Sequence, residues 1–175
     1  MRASNSDPSD VSEISDRSDR SDSLRPSEVP QQFLRPPLEQ AEAGQSIGIT
    51  LEDPLFIERG QVACPPDAVP RVTRRLDANL FWMSKRPLEV GEGLTLKCAT
   101  QEVRAHVARI ARRTDSSSLE ELARDAAELK NNEIGEVTIE TQEPVAVESF
   151  YDVPELGRFV LVRGHDVVAG GIVTR

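Results

Sequence analysis

Few residues of this chain could perform chemistry, and none has the spacing that a catalytic site requires. A nucleotide-binding loop needs glycines followed by Lys and Ser or Thr, because its backbone N–H groups must surround the phosphates. No GxxxxGK[ST] sequence occurs. The adjacent Gly170 and Gly171 lie within an apolar run, and we interpret them as positions of close packing or of a β-bulge.

The remaining chemical groups also lack partners in the sequence. Neither His106 nor His165 has a second His or Cys at ligand spacing. Carboxylate pairs such as Glu120-Glu121 lie in polar stretches, without an apolar pocket that would raise a pKa. No Ser or Cys nucleophile can be matched to a His base. We therefore expect no catalytic, cofactor-binding or metal-binding residue in this chain.

Aromatic and basic residues remain as candidates for contact with a partner. Phe81-Trp82-Met83 precedes Lys85 and Arg86, and three large neighbours cannot all point inward from one strand. At least one should cover another surface, either a subunit contact or the end of a barrel. The wider basic set forms either a patch for RNA or protein or a solvated face balanced by acids: Arg71, Arg74, Arg75, Lys85, Arg86, Arg104, Arg109, Arg112 and Arg113. The predicted contact residues are Phe81, Trp82, Lys85, Arg86, Arg112 and Arg113.

Composition and charge limit the class of protein. The chain has 175 residues and a net charge of -9, which repels phosphate backbones and makes nucleic acid an unexpected unaided partner. Cys64 and Cys98 are far apart and are predicted to be inert thiols. No apolar run is long enough to span a membrane, and no signal peptide is recognisable. We expect a cytoplasmic protein without a membrane partner.

The sequence divides into three predicted parts. Residues 1–37 are rich in Ser, Asp and Arg, and we predict disorder because they bury too little apolar surface to offset the ordering entropy. Residues 38–63 contain two predicted strands, at 47–51 and 55–62, and a proline-rich linker follows. Residues 64–175 form the third part, which is predicted to be a β-barrel.

The third part reads as about six short strands with polar turns between them, including a tight turn at Gly164-His165-Asp166. Even spacing favours an all-β, closed or nearly closed antiparallel barrel over an open sheet, because closure removes unpaired edges. One stretch departs from this pattern. Leucines and an alanine recur at helical spacing over 117–129, and Ser117 with Glu120 matches a capping box. This predicts a short helix inserted between two barrel strands.

These residues resemble the translation-factor GTPases, the superfamily that includes elongation factor Tu. Residues 43–51 and 56–62 are similar to the end of the second domain of that group. The barrel is similar to its third domain, which implies a six-stranded antiparallel Greek-key barrel. Within the group, Leu80-Phe81-Trp82-Met83 with Lys85-Arg86-Pro87-Leu88 is similar to the GTP-hydrolysing large subunit of bacterial sulfate adenylyltransferase. Three later stretches resemble the same subunit: 132–137, 144–147 and 157–162.

The resemblance implies a parent subunit that uses GTP and Mg to drive formation of adenosine 5′-phosphosulfate from ATP and sulfate. The GTP-binding domain of that family has no counterpart in this sequence. We therefore expect a non-catalytic barrel that acts through contacts with a GTP-binding domain and with the smaller adenylyltransferase subunit. Two alternatives stay open: a barrel that contacts tRNA or another protein, as in elongation factors, and an inactive gene fragment.

Overall fold

A computed structural model describes residues 40–42, 44–49, 51 and 55–174. The chain divides after Thr50 into two units. The tail predicted over 1–37 lies outside the described residues. The described residues of 47–51 and 55–62 are in no strand, so the two strands predicted there are wrong for this part of the chain. A strand requires a neighbour that pairs its backbone groups, and no ladder reaches these residues.

The second unit is built almost wholly from β-strands. Its elements, in chain order, are β1 (Arg71–Trp82), β2 (Leu88–Glu89), β3 (Gly93–Cys98), β4 (Gln101–Asp115), β5 (Glu121–Ala126), β6 (Glu128–Leu129), β7 (Glu133–Val147), α1 (Pro154–Gly157), β8 (Arg158–Arg163) and β9 (Asp166–Val173). The short α1 begins with a proline, whose missing N–H is not needed in the first turn of a helix.

Six strands close into an antiparallel barrel. Their order is β3-β8-β9-β1-β7-β4, and pairing of β3 with β4 closes the circle. Strand β5 pairs with the later part of β4 and lies outside this circle. The small β2–β6 ladder joins Leu88 to Leu129. The predicted six-stranded antiparallel barrel with one short helix is thereby confirmed.

Alternation of side chains fills the barrel. In β1, Leu76, Ala78, Leu80 and Trp82 are buried, and the residues between them face outward or are half-buried. Strand β4 changes phase through an irregularity between Val107 and Arg109, and its buried residues then continue at Ile110. A β-bulge of this kind explains why the apolar alternation of β4 is not continuous in the sequence.

The buried side-chain amide of Gln101, the first residue of β4, fastens the start of β4 to β7. The Gln101 side chain is 8% exposed, donates from Nε2 to the Ala146 carbonyl oxygen (2.8 Å) and accepts from the Ala146 N–H (2.7 Å). Both halves of the amide are therefore satisfied, as a buried polar group requires. This contact fixes one end of the strand pair that closes the barrel.

The predicted β8–β9 hairpin is confirmed. Its turn contains Gly164 at φ +64, a conformation that glycine adopts without a Cβ clash. At Gly171, a Cβ would lie 2.4 Å from the Phe159 ring on the paired strand. The prediction of close packing at the glycine pair therefore holds for Gly171, whereas a Cβ on Gly170 would meet nothing within 4 Å.

The helix predicted over 117–129 is wrong in its position. The segment contains β5 and β6, and the helix of the barrel lies at α1 instead. Leu119 and Asp125 have positive φ angles (59 and 46), which interrupt any helix. Strand pairing with β4 and the ion pair between Asp125 and Arg109 outweigh the local helical spacing.

Asp115 organises the turn that leads into β5. Its Oδ1 accepts the backbone N–H groups of Ser117 (2.8 Å) and Ser118 (2.9 Å). The hydrogen bond from Ser118 and then that from Ser117 lower the pKa of the Asp115 carboxyl, since both favour the charged form. The serine that suggested a helix cap therefore belongs to an Asp-centred turn.

This turn predicts a defined pH dependence for Asp115→Asn, which keeps an acceptor oxygen but cannot ionise. Because the folded-state pKa is depressed, the stability contributed by the charge is present above the unfolded value, about 3.9. It is lost as the pH falls through the folded pKa. Urea unfolding at several pH values should show wild type more stable than the variant at pH 6 and equal to it near the acid limit. Asp152→Asn is the control, and a difference independent of pH would contradict the assignment.

Candidate partner-docking surface

Trp82 anchors the end of β1 inside the barrel. The side chain is fully buried, and its Nε1 donates to the Arg86 carbonyl oxygen at 2.9 Å. The flanking Phe81 and Met83 point to the other side of the strand and are 38% and 44% exposed. As expected, Phe81, Trp82 and Met83 do not all face inward. Burial of Trp82 removes its side chain from the set of surface contact residues and gives it a positioning role instead.

Arg163 of β8 lies over the Trp82 ring, with its guanidinium carbon 5.1 Å from the ring centroid. It binds both carboxylate oxygens of Glu92, at 2.8 Å from Nε and 2.7 Å from Nη2. Both side chains of this pair are mostly buried, at 19% and 16% exposure. A bidentate arginine–carboxylate pair is a strong and geometrically specific contact.

The other Arg163 donors hold the loop that follows β1, which we call the docking loop (residues 83–87). Nη1 donates to Ser84 Oγ (3.3 Å) and to the Arg86 carbonyl (3.4 Å), and Nη2 donates to the Pro87 carbonyl (3.1 Å). All five guanidinium N–H groups therefore have partners.

The loop that precedes β7 holds the start of the docking loop from the opposite side. The backbone N–H of Asn132 donates to the Trp82 carbonyl at 2.8 Å, and Nδ2 of Asn131 donates to the Met83 carbonyl at 2.7 Å. Together with Arg163 and Trp82, these contacts fix the conformation of the docking loop.

The outer side of the docking loop is cationic. Lys85 and Arg86 are exposed, and the Arg86 side chain retains 69% of its accessible surface. The nearest carboxylate is Glu92, at 3.7 Å from Arg86, and Arg163 already binds both of its oxygens. Within the described part of the chain, no ion pair involves Lys85. The two cations are thus only weakly neutralised by their own chain.

The predicted contact residues Arg112 and Arg113 lie elsewhere, on β4, which is separated from β1 by β7. Arg113 pairs with Glu133 at 2.9 Å, with both side chains mostly buried. Arg112 pairs with Glu136 and lies 4.0 Å from Glu121. These arginines connect neighbouring strands, so the predicted basic patch is not continuous. Arg112 and Arg113 therefore fit a solvated face balanced by acids better than a patch for RNA or protein.

Sequence reasoning missed Arg163, Glu92 and Asn131. Arg163 and Glu92 are 71 positions apart, and Asn131 and Met83 are 48 apart. The sequence carries no local signal that joins them. Only the spacing of strands in the closed barrel places them around Trp82.

The residues that could hold a phosphate or a metal do not assemble into such a site. The position above Gly171 is occupied by the Phe159 ring, so this glycine leaves no room for a phosphate. Within the described ranges, no group of three His, Cys, Asp or Glu side chains lies close enough to bind a metal ion. His106 faces Glu140 at 3.6 Å.

The barrel matches a known protein family. Residues 75–174 match the family described as GTP-eEF1A C-terminal domain-like. The chain belongs to this family. Among solved structures, Sup35 in complex with GDP superposes on the GTP-eEF1A C-terminal domain-like barrel with a TM-score of 0.58 and 21% identity, over 63% of this chain and 27% of Sup35. That likeness supports the fold.

Several curated relatives are similar over most of the chain. Sulfate adenylyltransferase subunit 1 of Tolumonas auensis is 38% identical over 125 residues, which are 71% of this chain and 26% of the relative. The protein of the same name from Francisella tularensis strain SCHU S4 is 37% identical over 134 residues, 76% of this chain and 28% of the relative. The chain thus spans about a quarter of the length of these relatives.

No helix in the described residues is long and apolar enough to cross a membrane.

The contacts of Arg163 with Glu92, Trp82 and the docking loop, which we call the clamp, predict that Arg163→Ala destabilises the GTP-eEF1A C-terminal domain-like barrel by about 2–4 kcal/mol, because a mostly buried Glu92 would lose its partner. Arg158→Ala, on the same strand, is the matched control. Its ion pair with Glu155 is 3.6 Å long and more than 60% exposed, so its loss should cost less than about 1 kcal/mol. Urea unfolding followed by the fluorescence of Trp82, the only tryptophan, measures both. Equal losses in the two variants would contradict the clamp.

Proposed function

We propose that this chain is a non-catalytic β-barrel module of a sulfate adenylyltransferase GTPase subunit, and that it works by binding a GTP-binding domain. The observation that carries the proposal is the similarity to sulfate adenylyltransferase subunit 1, at 32–38% identity over most of the chain. The absence of a P-loop sequence supports the non-catalytic part of the proposal.

In the proposed assembly, the barrel positions other domains while the chemistry occurs outside it. GTP and Mg would be bound by the GTP-binding domain, and the smaller subunit would form adenosine 5′-phosphosulfate from ATP and sulfate. We place this assembly in the cytoplasm. Support for a reducing environment comes from Cys64 and Cys98, both of which are free.

The alternative of a tRNA-binding barrel has less support. Its main cations were Arg112 and Arg113, and both already form ion pairs with glutamates of β7. Phosphate contacts would have to replace those pairs in a protein of net charge -9. A salt-sensitive gel shift with tRNA that is abolished by Arg112→Ala with Arg113→Ala would favour the alternative.

A binding experiment tests the proposed role. The full chain is titrated into the part of Tolumonas auensis sulfate adenylyltransferase subunit 1 that lies outside the stretch similar to this chain, with GTP and Mg present. We expect a complex with a dissociation constant of about 1–100 µM, because contacts between domains of one protein resemble transient interfaces. Calorimetry measures the affinity. The part of Sup35 that superposes on this barrel is the control, because it has the same fold but only 21% sequence identity.

The same preparations test for catalysis. The chain alone should neither hydrolyse GTP nor form adenosine 5′-phosphosulfate. Nucleotide turnover that follows this protein through purification would contradict the non-catalytic assignment. The binding role would be refuted if no complex formed at about 1 mM of this chain, a concentration above the expected dissociation constant of about 1–100 µM.

A further inference from the structure

We infer that Phe81, Met83, Lys85 and Arg86 form one docking surface, and that its partner is a protein segment in which carboxylates surround an exposed apolar side chain. This inference specifies the contact chemistry of the proposed binding role and rests on it. The surface comprises the end of β1 and the docking loop (residues 83–87), all within the second unit.

Charge complementarity identifies the acidic half of the partner. Several arginines on the outside of the barrel face a carboxylate of their own chain, as the pairs of Arg109 with Asp125 and of Arg158 with Glu155 illustrate. Within the described residues Lys85 forms no ion pair, and the one carboxylate within 4.0 Å of Arg86, Glu92, is already bound by Arg163. In a chain of net charge -9, this weakly neutralised cationic pair attracts acidic partners locally.

The apolar half of the partner follows from the register of the barrel. Phe81 pairs with Ile134 on β7 and with Gly170 on β9, and residues that are directly opposite share one face of a sheet. Gly170 has no side chain, and the space where its Cβ would be is open. Phe81 is therefore flanked by a half-buried isoleucine and by an open position that an apolar side chain of a partner can fill. Met83 extends the surface with an adaptable thioether side chain.

The docking loop is ordered before any partner binds. Hydrogen bonds reach the carbonyls of Trp82, Met83, Arg86 and Pro87 from the surrounding side chains and backbone. A loop fixed in this way loses little conformational entropy on association. Arg163 and Trp82 are thus positioning residues, since neither offers its own surface to the partner.

An NMR titration of the full 15N-labelled chain tests this inference. The probe is the capped synthetic peptide Glu-Glu-Leu-Phe-Glu-Glu, and its comparison peptide carries Lys in place of each Glu. We expect shifts of the amides of residues 81–86 with the acidic peptide, with a dissociation constant of about 1 mM or tighter. Raising the salt from 50 to 500 mM should weaken binding several-fold, because exposed charges are screened.

Charge reversal supplies the decisive comparison. The double variant Lys85→Glu with Arg86→Glu should bind the acidic peptide about tenfold more weakly, because two attractions become repulsions. Arg74→Glu with Arg75→Glu, which makes the same charge change at two exposed neighbours near the start of β1, should bind as wild type does. Phe81→Ser should weaken binding of the acidic peptide at unchanged salt dependence.

Three results would overturn the inference: no shift at residues 81–86, equal binding of the basic peptide, or equal losses in the two charge-reversal variants. The peptide experiment fails or succeeds independently of the Tolumonas auensis binding test. Peptide binding without a complex would retain the docking surface and refute its role in sulfate activation. A complex that is insensitive to Lys85→Glu with Arg86→Glu would retain the role and place it on another surface.

Discussion

Closure of the barrel is the constraint on which the other features depend. Strand β3 has only six residues, yet it pairs with β8 along one edge and with β4 along the other. These pairings leave no open edge in the six-stranded circle, and they bring distant parts of the chain to fixed spacings. The buried Gln101 amide supports this closure by joining the start of β4 to Ala146 on β7. Without closure, the buried faces of β1 and β8 would have no common interior.

The clamp around Trp82 is a consequence of that geometry. Strand β1 brings the indole of Trp82 into the end of the barrel, and β8 supplies Arg163. Glu92 is the residue that directly precedes β3. A mostly buried arginine–carboxylate pair adds stability only when its hydrogen bonds are complete, and here every donor of the guanidinium has a partner. The same bonds that satisfy Arg163 give the docking loop a single conformation. Stability of the barrel end and presentation of the loop are therefore one structural feature.

The interior of the GTP-eEF1A C-terminal domain-like barrel is filled by packed apolar side chains. On the outside of the barrel, arginines form ion pairs with carboxylates of neighbouring strands, and the buried Trp82 donates a hydrogen bond to the docking loop. We propose that the outer surface serves as a contact surface. Its chemistry, as we propose it, is the selection of a partner by charge and by one apolar contact.

The sequence by itself determined the six strands of the closed barrel, because alternation with a period of two directly reports which face of each strand is buried. It also predicted the β8–β9 turn and showed that Phe81, Trp82 and Met83 could not share one face. The tertiary structure decided two matters that local pattern could not. Residues 117–129 have helical spacing, but the pairing of β5 with β4 imposes an extended chain. The link between Arg163 and Glu92 spans 71 positions, and only barrel closure specifies contacts at such separation, since local propensity extends over a few residues.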